Sequence, residues 1–335
     1  MSQQETNYTS TGAKFWRHQQ ALYNYRAGDP ATIIATHVSP TSACNLNCPF
    51  CSVSKRHHGN STPLSTIKLY IRTLKRYGLK AVILTGGGEP LLYEHINELV
   101  GWLAYEEHLE VALITNGTAC DSLRPDRWGL LQWVRVSLNA ESIDRVNLAT
   151  EYINPDAVTG CSLVYVGRQG NRKFLQDCKV VATALAARYV RVLPDCMLQG
   201  DDLARAHAEI ADALAELDDQ RFFHQHKTHG TVKAAACHQS RFRPYLSEEG
   251  GGTVFPCDSL VLNNQAARFA ERFKLCSALE VEAWLRREIV PGFDPRTDCT
   301  GCVFADTVNM LDDWQRGTVD RFDDYREPMQ HENFV

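Results

Sequence analysis

The sequence predicts an α/β chain, a run of parallel strand–helix units followed by a smaller α+β part. Between residue 32 and about residue 200, short apolar segments of strand character alternate with segments of helical period. These apolar segments run out into glycine, asparagine or cysteine, as strands entering functional loops do. Past residue 223 the composition shifts to histidine, glycine and a second set of cysteines.

Residues 1–11 are polar and read as loose. Residues 13–25 carry Phe15, Trp16, Leu22, Tyr23 and Tyr25 and read as a short helix that packs on the main body. Strands are expected at 32–39, 81–85, 110–115, 133–138, 162–166 and 189–193. Helices are expected at 65–78, with Gly78 as the stop, at 96–105, and at 201–217, where alanine mixes with charges of both signs. His224, His226 and His229 fall in a polar, turn-like stretch read as a solvated linker, since they form no ligand pair with the cysteines. Residues 245–257 read as a β-hairpin around Gly250, Gly251 and Gly252, followed by a helix at 280–288 and a charged surface tail from 316 to 335. The domain organisation expected is an extension at 1–30, a first domain at 31–230, a second at 231–315, and the tail.

The chain has 335 residues, 44 % of them apolar, which is enough for a sizeable core. A net charge of −5 gives no support to a globally basic nucleic-acid binder. No run of 18 apolar residues occurs, so no membrane span is expected. Residues 1–14 lack the apolar core of a signal peptide. Twelve cysteines without such a signal point to a reducing compartment and to metal ligation.

Residues 44–51 read CNLNCPFC, which places Cys44, Cys48 and Cys51 at CxxxCxxC spacing after the first expected strand. Structural zinc asks for four ligands and disulfides for an even number. Three thiolates on one loop suit a cubane iron–sulfur cluster that keeps one iron open for a chelating ligand. After the second expected strand comes Gly86, Gly87, Gly88, Glu89 and Pro90. Glycines at a strand end let the backbone approach a ligand closely.

The CxxxCxxC loop, with Phe50 before its last cysteine, and the GGEP loop after the next strand together resemble the radical S-adenosylmethionine (SAM) enzymes. The resemblance implies an open, TIM-like (β/α)6 barrel, a [4Fe–4S] cluster on Cys44, Cys48 and Cys51, and SAM on its fourth iron. It also implies a deoxyadenosyl radical that abstracts hydrogen from a substrate, and a reducing partner such as flavodoxin or ferredoxin. Gly86, Gly87, Gly88 and Glu89 match the loop that holds the methionine amino group. Ser137, Asn139 and, more distantly, Asn116 match polar groups that meet the ribose or carboxylate, while Phe50 and the backbone at Leu193 would border the adenine.

The second cysteine set, Cys237, Cys257, Cys299 and Cys302, follows the pattern C-x14-G-x4-C…C-x2-C around Gly252. That pattern resembles the auxiliary-cluster domain called SPASM in its shortened, twitch form. A second, fully cysteine-ligated [4Fe–4S] cluster with an electron-transfer role is implied, and a structural Zn(Cys)4 site is the alternative. Cys276 lies between these ligands and is read as packing, as are Cys120, Cys161 and Cys178. Cys196, just past the sixth expected strand, is either a hydrogen-atom donor at the barrel mouth or a small buried side chain. Lys55, Arg56, His57 and His58, with Arg168, Arg172 and Lys173, would form a cationic rim suited to a phosphorylated or nucleic-acid substrate, or else solvated loops.

No residue names the substrate. A small molecule, a nucleotide or DNA base, and a peptide of the kind SPASM maturases modify all fit, with net oxidation, rearrangement and C–C cleavage open. A non-catalytic metal-binding protein is the remaining class. The run from Ser39 to Arg56 is similar to radical SAM proteins of phage genomes, which implies DNA-base modification in a host cytoplasm; otherwise a cytoplasmic location is expected.

Overall fold

The computed structural model describes residues 3–54, 59–259 and 269–335. Two compact units are present, one formed by 1–42, 59–87 and 229–335 and the other by 43–58 and 88–228.

In the first unit, β1 (Ala35–Val38) and β2 (Ala81–Leu84) pair in parallel, Ala35 opposite Ala81. Every residue of both strands is buried, the pattern of strands covered on both faces. The helix Leu64–Arg76 joins them as a crossover and buries Ile67, Tyr70, Ile71 and Leu74. Gly78 ends it at φ +105°, a conformation other residues rarely adopt, and a Cβ there would fall 2.9 Å from the Ile33 carbonyl.

On the other side of β1 lies β8 (Tyr245–Ser247), paired in parallel with His37 opposite Tyr245. The antiparallel partner of β8 is β9 (Thr253–Phe255), which in turn pairs with β10 (Cys276–Ser277). The expected hairpin is thus present, turned by Gly250, Gly251 and Gly252 at positive φ, and it extends the sheet of the first strand.

The second unit is a parallel sheet in sequential order: β3 (Glu110–Thr115), β4 (Leu131–Ser137), β5 (Val158–Val164), β6 (Tyr189–Leu193) and β7 (Phe222–His224). Helices Arg172–Ala184 and Gly200–Ala215 connect β5 to β6 and β6 to β7. All the strands expected up to residue 193 form, though β5 begins earlier than predicted. The strand β7 was hidden from the sequence, where its two phenylalanines precede a polar run read as linker.

Three further expectations are corrected. Residues 3–8 form a helical turn, held by the Thr9 hydroxyl on the Glu5 carbonyl at 2.6 Å. The packing helix of 13–25 is two pieces, a 3-10 turn Gly12–Arg17 and the helix Gln19–Ala27, broken at His18. The tail does not stay on the surface throughout: Phe334 and Val335 are buried, Arg17 pairs with Glu332 at 2.9 Å, and Trp16 packs edge-on against Phe322. Among the described residues, no helix is long and apolar enough to cross a membrane.

Candidate metal centres

Each unit carries one cysteine centre. In the second unit, the Cys44, Cys48 and Cys51 loop folds in tight turns, with the Cys51 and Ser54 amides donating to the Cys48 and Cys51 carbonyls. Asparagines then tie it to the ends of β3 and β4. Asn116 follows β3 and donates from Nδ2 to Asn45 Oδ1 at 2.9 Å, and Asn45 donates to the Thr118 hydroxyl at 2.8 Å. Asn139 follows β4, is buried, and donates from Nδ2 to the Cys48 sulfur at 2.7 Å. Burial pushes the Cys48 thiol up to about 11, the charges of Cys51 and Cys44 add to the rise, and the Asn139 donor opposes it. A cationic metal group would reverse this balance and take all three as thiolates. The donor set therefore fits a cluster held by three sulfurs.

Glu89 is buried, and its carboxylate is fully engaged by the protein. Oε1 accepts from the Leu91 amide at 3.1 Å and the Thr115 hydroxyl at 2.7 Å; Oε2 accepts from the Asn116 amide at 2.7 Å. Burial raises its pKa, against the pull of these three donors. Glu89 thus braces its loop against the end of β3, and its own amide donates to the Ala43 carbonyl at 2.7 Å. In the first unit, the Gly87 amide donates to the Ser39 hydroxyl at 2.6 Å. A Cβ at Gly87 would fall 2.2 Å from Glu248 Oε1, so any other residue there would have to displace the Glu248 carboxylate. Gly86 precedes it at the exit of β2, and Gly88 opens the second unit's part of the loop.

The remaining expected residues lie at the C-terminal ends of the second unit's strands. Ser137 closes β4 and stands opposite Ser162. Leu193 closes β6, buried, with its carbonyl accepting from the Tyr165 amide at 2.8 Å. Phe50 is half-buried in the cysteine loop. Cys196 is half-buried beyond β6; burial raises its pKa, Lys227 lowers it, and Cys51 is near enough to raise it further. Cys120, Cys161 and Cys178 are buried, as expected of packing residues. Arg168, Arg172 and Lys173 are exposed, and Arg172 pairs with Glu216 at 2.5 Å. Lys55, Arg56, His57 and His58 lie outside the described residues.

The first unit holds the other centre. Cys237, Cys257, Cys299 and Cys302 line one cavity, walled by Val232, Pro256 and Phe304. Burial pushes the Cys237 thiol up to about 12, and the charge of Cys302 adds to it. Cys257 is raised well above its ordinary value by burial and by Cys237. Cys299 rises for the same reasons, and Cys302 through burial. Four convergent thiols that cannot ionise unaided fit a metal group with four sulfur ligands. Cys276 is buried in β10 and is absent from the cavity wall, as expected.

Arg243 was not foreseen. It is buried, donates to the Val335 oxygen at 2.7 Å, lies 4.8 Å over the Phe304 ring, and is near enough to Cys257 and Cys237 to feel their charge. A buried guanidinium there would offset the negative charge of thiolates on a bound metal group. Nothing in the local sequence separates it from its neighbour Arg241.

Residues 38–179 match the family model of the radical SAM superfamily. Among curated proteins, the chain is 28% identical over 127 residues to a probable GTP 3',8-cyclase of Methanocaldococcus jannaschii, covering 37% of this chain and 38% of that one. It is 24% identical over 160 residues to the GTP 3',8-cyclase of Syntrophomonas wolfei, covering 46% and 44%. It is 38% identical over 78 residues to the 7-carboxy-7-deazaguanine synthase of Clostridium acetobutylicum, covering 23% and 35%. The chain spans less than half the length of these relatives. Among solved structures, Streptococcus suis SuiB bound to precursor peptide SuiA superposes with a TM-score of 0.55 at 15% identity, over 80% of this chain and 68% of that one. The anSMEcpe structure with bound AdoMet gives 0.54 at 12%, over 77% and 81%. At such identities the likeness shows the fold, a radical SAM partial barrel.

Proposed function

Since the chain carries a radical SAM domain, we propose that it is an enzyme that cleaves S-adenosylmethionine at a [4Fe–4S] cluster and uses the resulting radical on a nucleotide-class substrate. The observation that carries this is the three-cysteine loop with Asn139 donating to the Cys48 sulfur. In this reading the barrel spans 31–230 and an auxiliary-cluster domain spans 231–315. Cys44, Cys48 and Cys51 would hold the cluster. When bound, the cluster and SAM supply a 5'-deoxyadenosyl radical that takes a hydrogen atom from the substrate.

The chain's own residues position and protect. Asn139 supports the Cys48 sulfur and stabilises negative charge on it. Glu89 and Asn116 keep the glycine loop and the cysteine loop in register with β3. Gly88 would meet the methionine end of SAM, while Ser137, Phe50 and Leu193 would border its ribose and adenine. Cys196, half-buried beyond β6, would be the candidate thiol to give a hydrogen atom to a product radical.

Cys237, Cys257, Cys299 and Cys302 would hold a second cluster. With four sulfur ligands such a cluster would have no open iron and would supply electron transfer; accepting the electron of a substrate radical would make the net reaction an oxidation. A ferredoxin or flavodoxin in a cytoplasmic setting would supply the reducing electron. The nucleotide class is favoured because the curated relatives are named for GTP and for a deazaguanine.

The test is anaerobic reconstitution followed by iron counting and assay of 5'-deoxyadenosine with reductant and SAM. Two cubanes predict about eight irons per chain, falling to about four in a Cys44→Ala, Cys48→Ala, Cys51→Ala variant. No deoxyadenosine from wild type would end the reading. Four irons falling to none, with zinc present, would make the C-terminal cysteines structural and remove the support for oxidation.

A further inference from the structure

The exit of β7 carries a cluster that neither cysteine centre uses. His207 projects from the helix Gly200–Ala215, His224 closes β7, and His226 follows it by two residues. One ring nitrogen of each lies within 4.8 Å of the other two. His207 Nδ1 is 2.8 Å from His224 Nε2, and the His224 and His226 rings are 4.0 Å apart between centroids. The second nitrogen of His207, Nε2, lies 2.9 Å from the Lys227 carbonyl. A carbonyl can only accept, so Nε2 carries the proton and the Nδ1 lone pair faces the cluster.

We propose that His207, His224 and His226 form a binding site for one divalent transition-metal ion of the zinc class. Three imidazoles with no thiolate or carboxylate among them are a donor set that zinc takes with a fourth position left open. The carbonyl behind His207 is the outer support that metal-bound histidines characteristically have, fixing both tautomer and ring orientation. His207 and His224 are half-buried while His226 is exposed, which leaves an entry path from solvent. Tetrahedral ligands at about 2.0–2.1 Å stand about 3.3 Å apart, so the 2.8 Å contact between His207 and His224 needs to open only slightly. Metal entry replaces the hydrogen bond of that contact, and the neutral His224 ring moves its proton from Nε2 to Nδ1, which frees the Nε2 lone pair for the ion. The open position is available to water or to an anionic oxygen of a ligand. The site stands on the imidazoles alone and does not depend on what either cysteine centre holds.

The test uses the full chain with its iron loaded. Protein is equilibrated with Zn²⁺, passed through buffer, and assayed for zinc and iron in wild type, His226→Gln and His224→Gln. Wild type should retain about one zinc per chain beyond its iron, and either variant should bind at least about tenfold more weakly with iron unchanged. His226 is exposed, so His226→Gln should melt like wild type without zinc and lose only the zinc-induced rise in Tm. X-ray absorption at the zinc edge should give a nitrogen shell at about 2.0–2.1 Å. A sulfur shell at about 2.3 Å, equal zinc retention in wild type and His226→Gln, or no retention in wild type would each overturn the site.

Discussion

The two cysteine centres differ in what surrounds the sulfurs. The loop of Cys44, Cys48 and Cys51 lies among amides and hydroxyls from Asn45, Asn116, Thr118 and Asn139, one of which touches sulfur directly. The cavity of Cys237, Cys257, Cys299 and Cys302 is walled mostly by valine, proline and phenylalanine, with a buried arginine as its counter-charge. Three sulfurs in polar surroundings leave a metal group with a vacant valence and with donors placed to orient whatever fills it. Four sulfurs in an apolar box leave no such position. On the proposed reading, the same side-chain chemistry would serve a reacting centre in one unit and a closed one in the other.

The sharpest way to break this contrast is Cys48→Ala. It should reduce deoxyadenosine formation to background and remove about four irons per chain, leaving the remainder in place. Cys257→Ala should do the converse, removing about four irons while SAM cleavage without net substrate oxidation persists; loss of zinc in place of iron would show the closed centre to be structural.

Acid should act on the unit that holds the closed centre. Burial holds His18 down from 6.5 to about 4 in the folded chain, chiefly by desolvation. The unfolded chain therefore binds the proton first, and stability present above pH 6.5 drains away as pH falls toward 4. The loss from this one group amounts to about 3 kcal/mol at most. A urea titration series across that window should show it, and His18→Gln should flatten the slope.

Gly230→Ala tests how tightly the closed centre is packed. Gly230 bridges to Cys302, and a Cβ there would fall 2.6 Å from the Ala305 Cβ. The cost should be about 1–3 kcal/mol in thermal or denaturant unfolding. The smallest effect is expected at the open centre. Asn139→Ala removes the donor to Cys48, which should move the cluster's midpoint potential more negative by on the order of 50 mV, the equivalent of one hydrogen bond of about 1 kcal/mol. Redox titration by electron paramagnetic resonance reads this directly.

What was legible in the sequence was local. Cys44, Cys48 and Cys51 are set by short spacing, Gly78 marks a stop that the helix obeys, and β2 is apolar throughout because both faces are covered. What stayed hidden depends on long-range pairing. His207 is 17 residues from His224 and a helix length away, so no spacing rule joins them. Phe334 and Val335 follow a charged run, yet they are buried, and the Lys14 ammonium donates to the Phe334 carbonyl at 3.3 Å. Glu89 was read as a ligand-holding group by its motif. Its three donors come from residues 91, 115 and 116, two of them across the sheet, which only the fold brings to it.

The parallel pairing of β1 with β8 has a consequence for synthesis. Val38 leaves the ribosome more than two hundred residues before its partner Leu246. At about 5–20 residues per second, one edge of β1 waits roughly 10–40 s without that neighbour. The 88–228 segment, nearly the whole of the other unit, is complete within that interval. A core strand with an open edge is a template for wrong pairing. The nascent chain is therefore most exposed to aggregation in the middle of its translation, and slowing elongation between residues 40 and 245 should lower the yield of folded protein more than slowing it after residue 260.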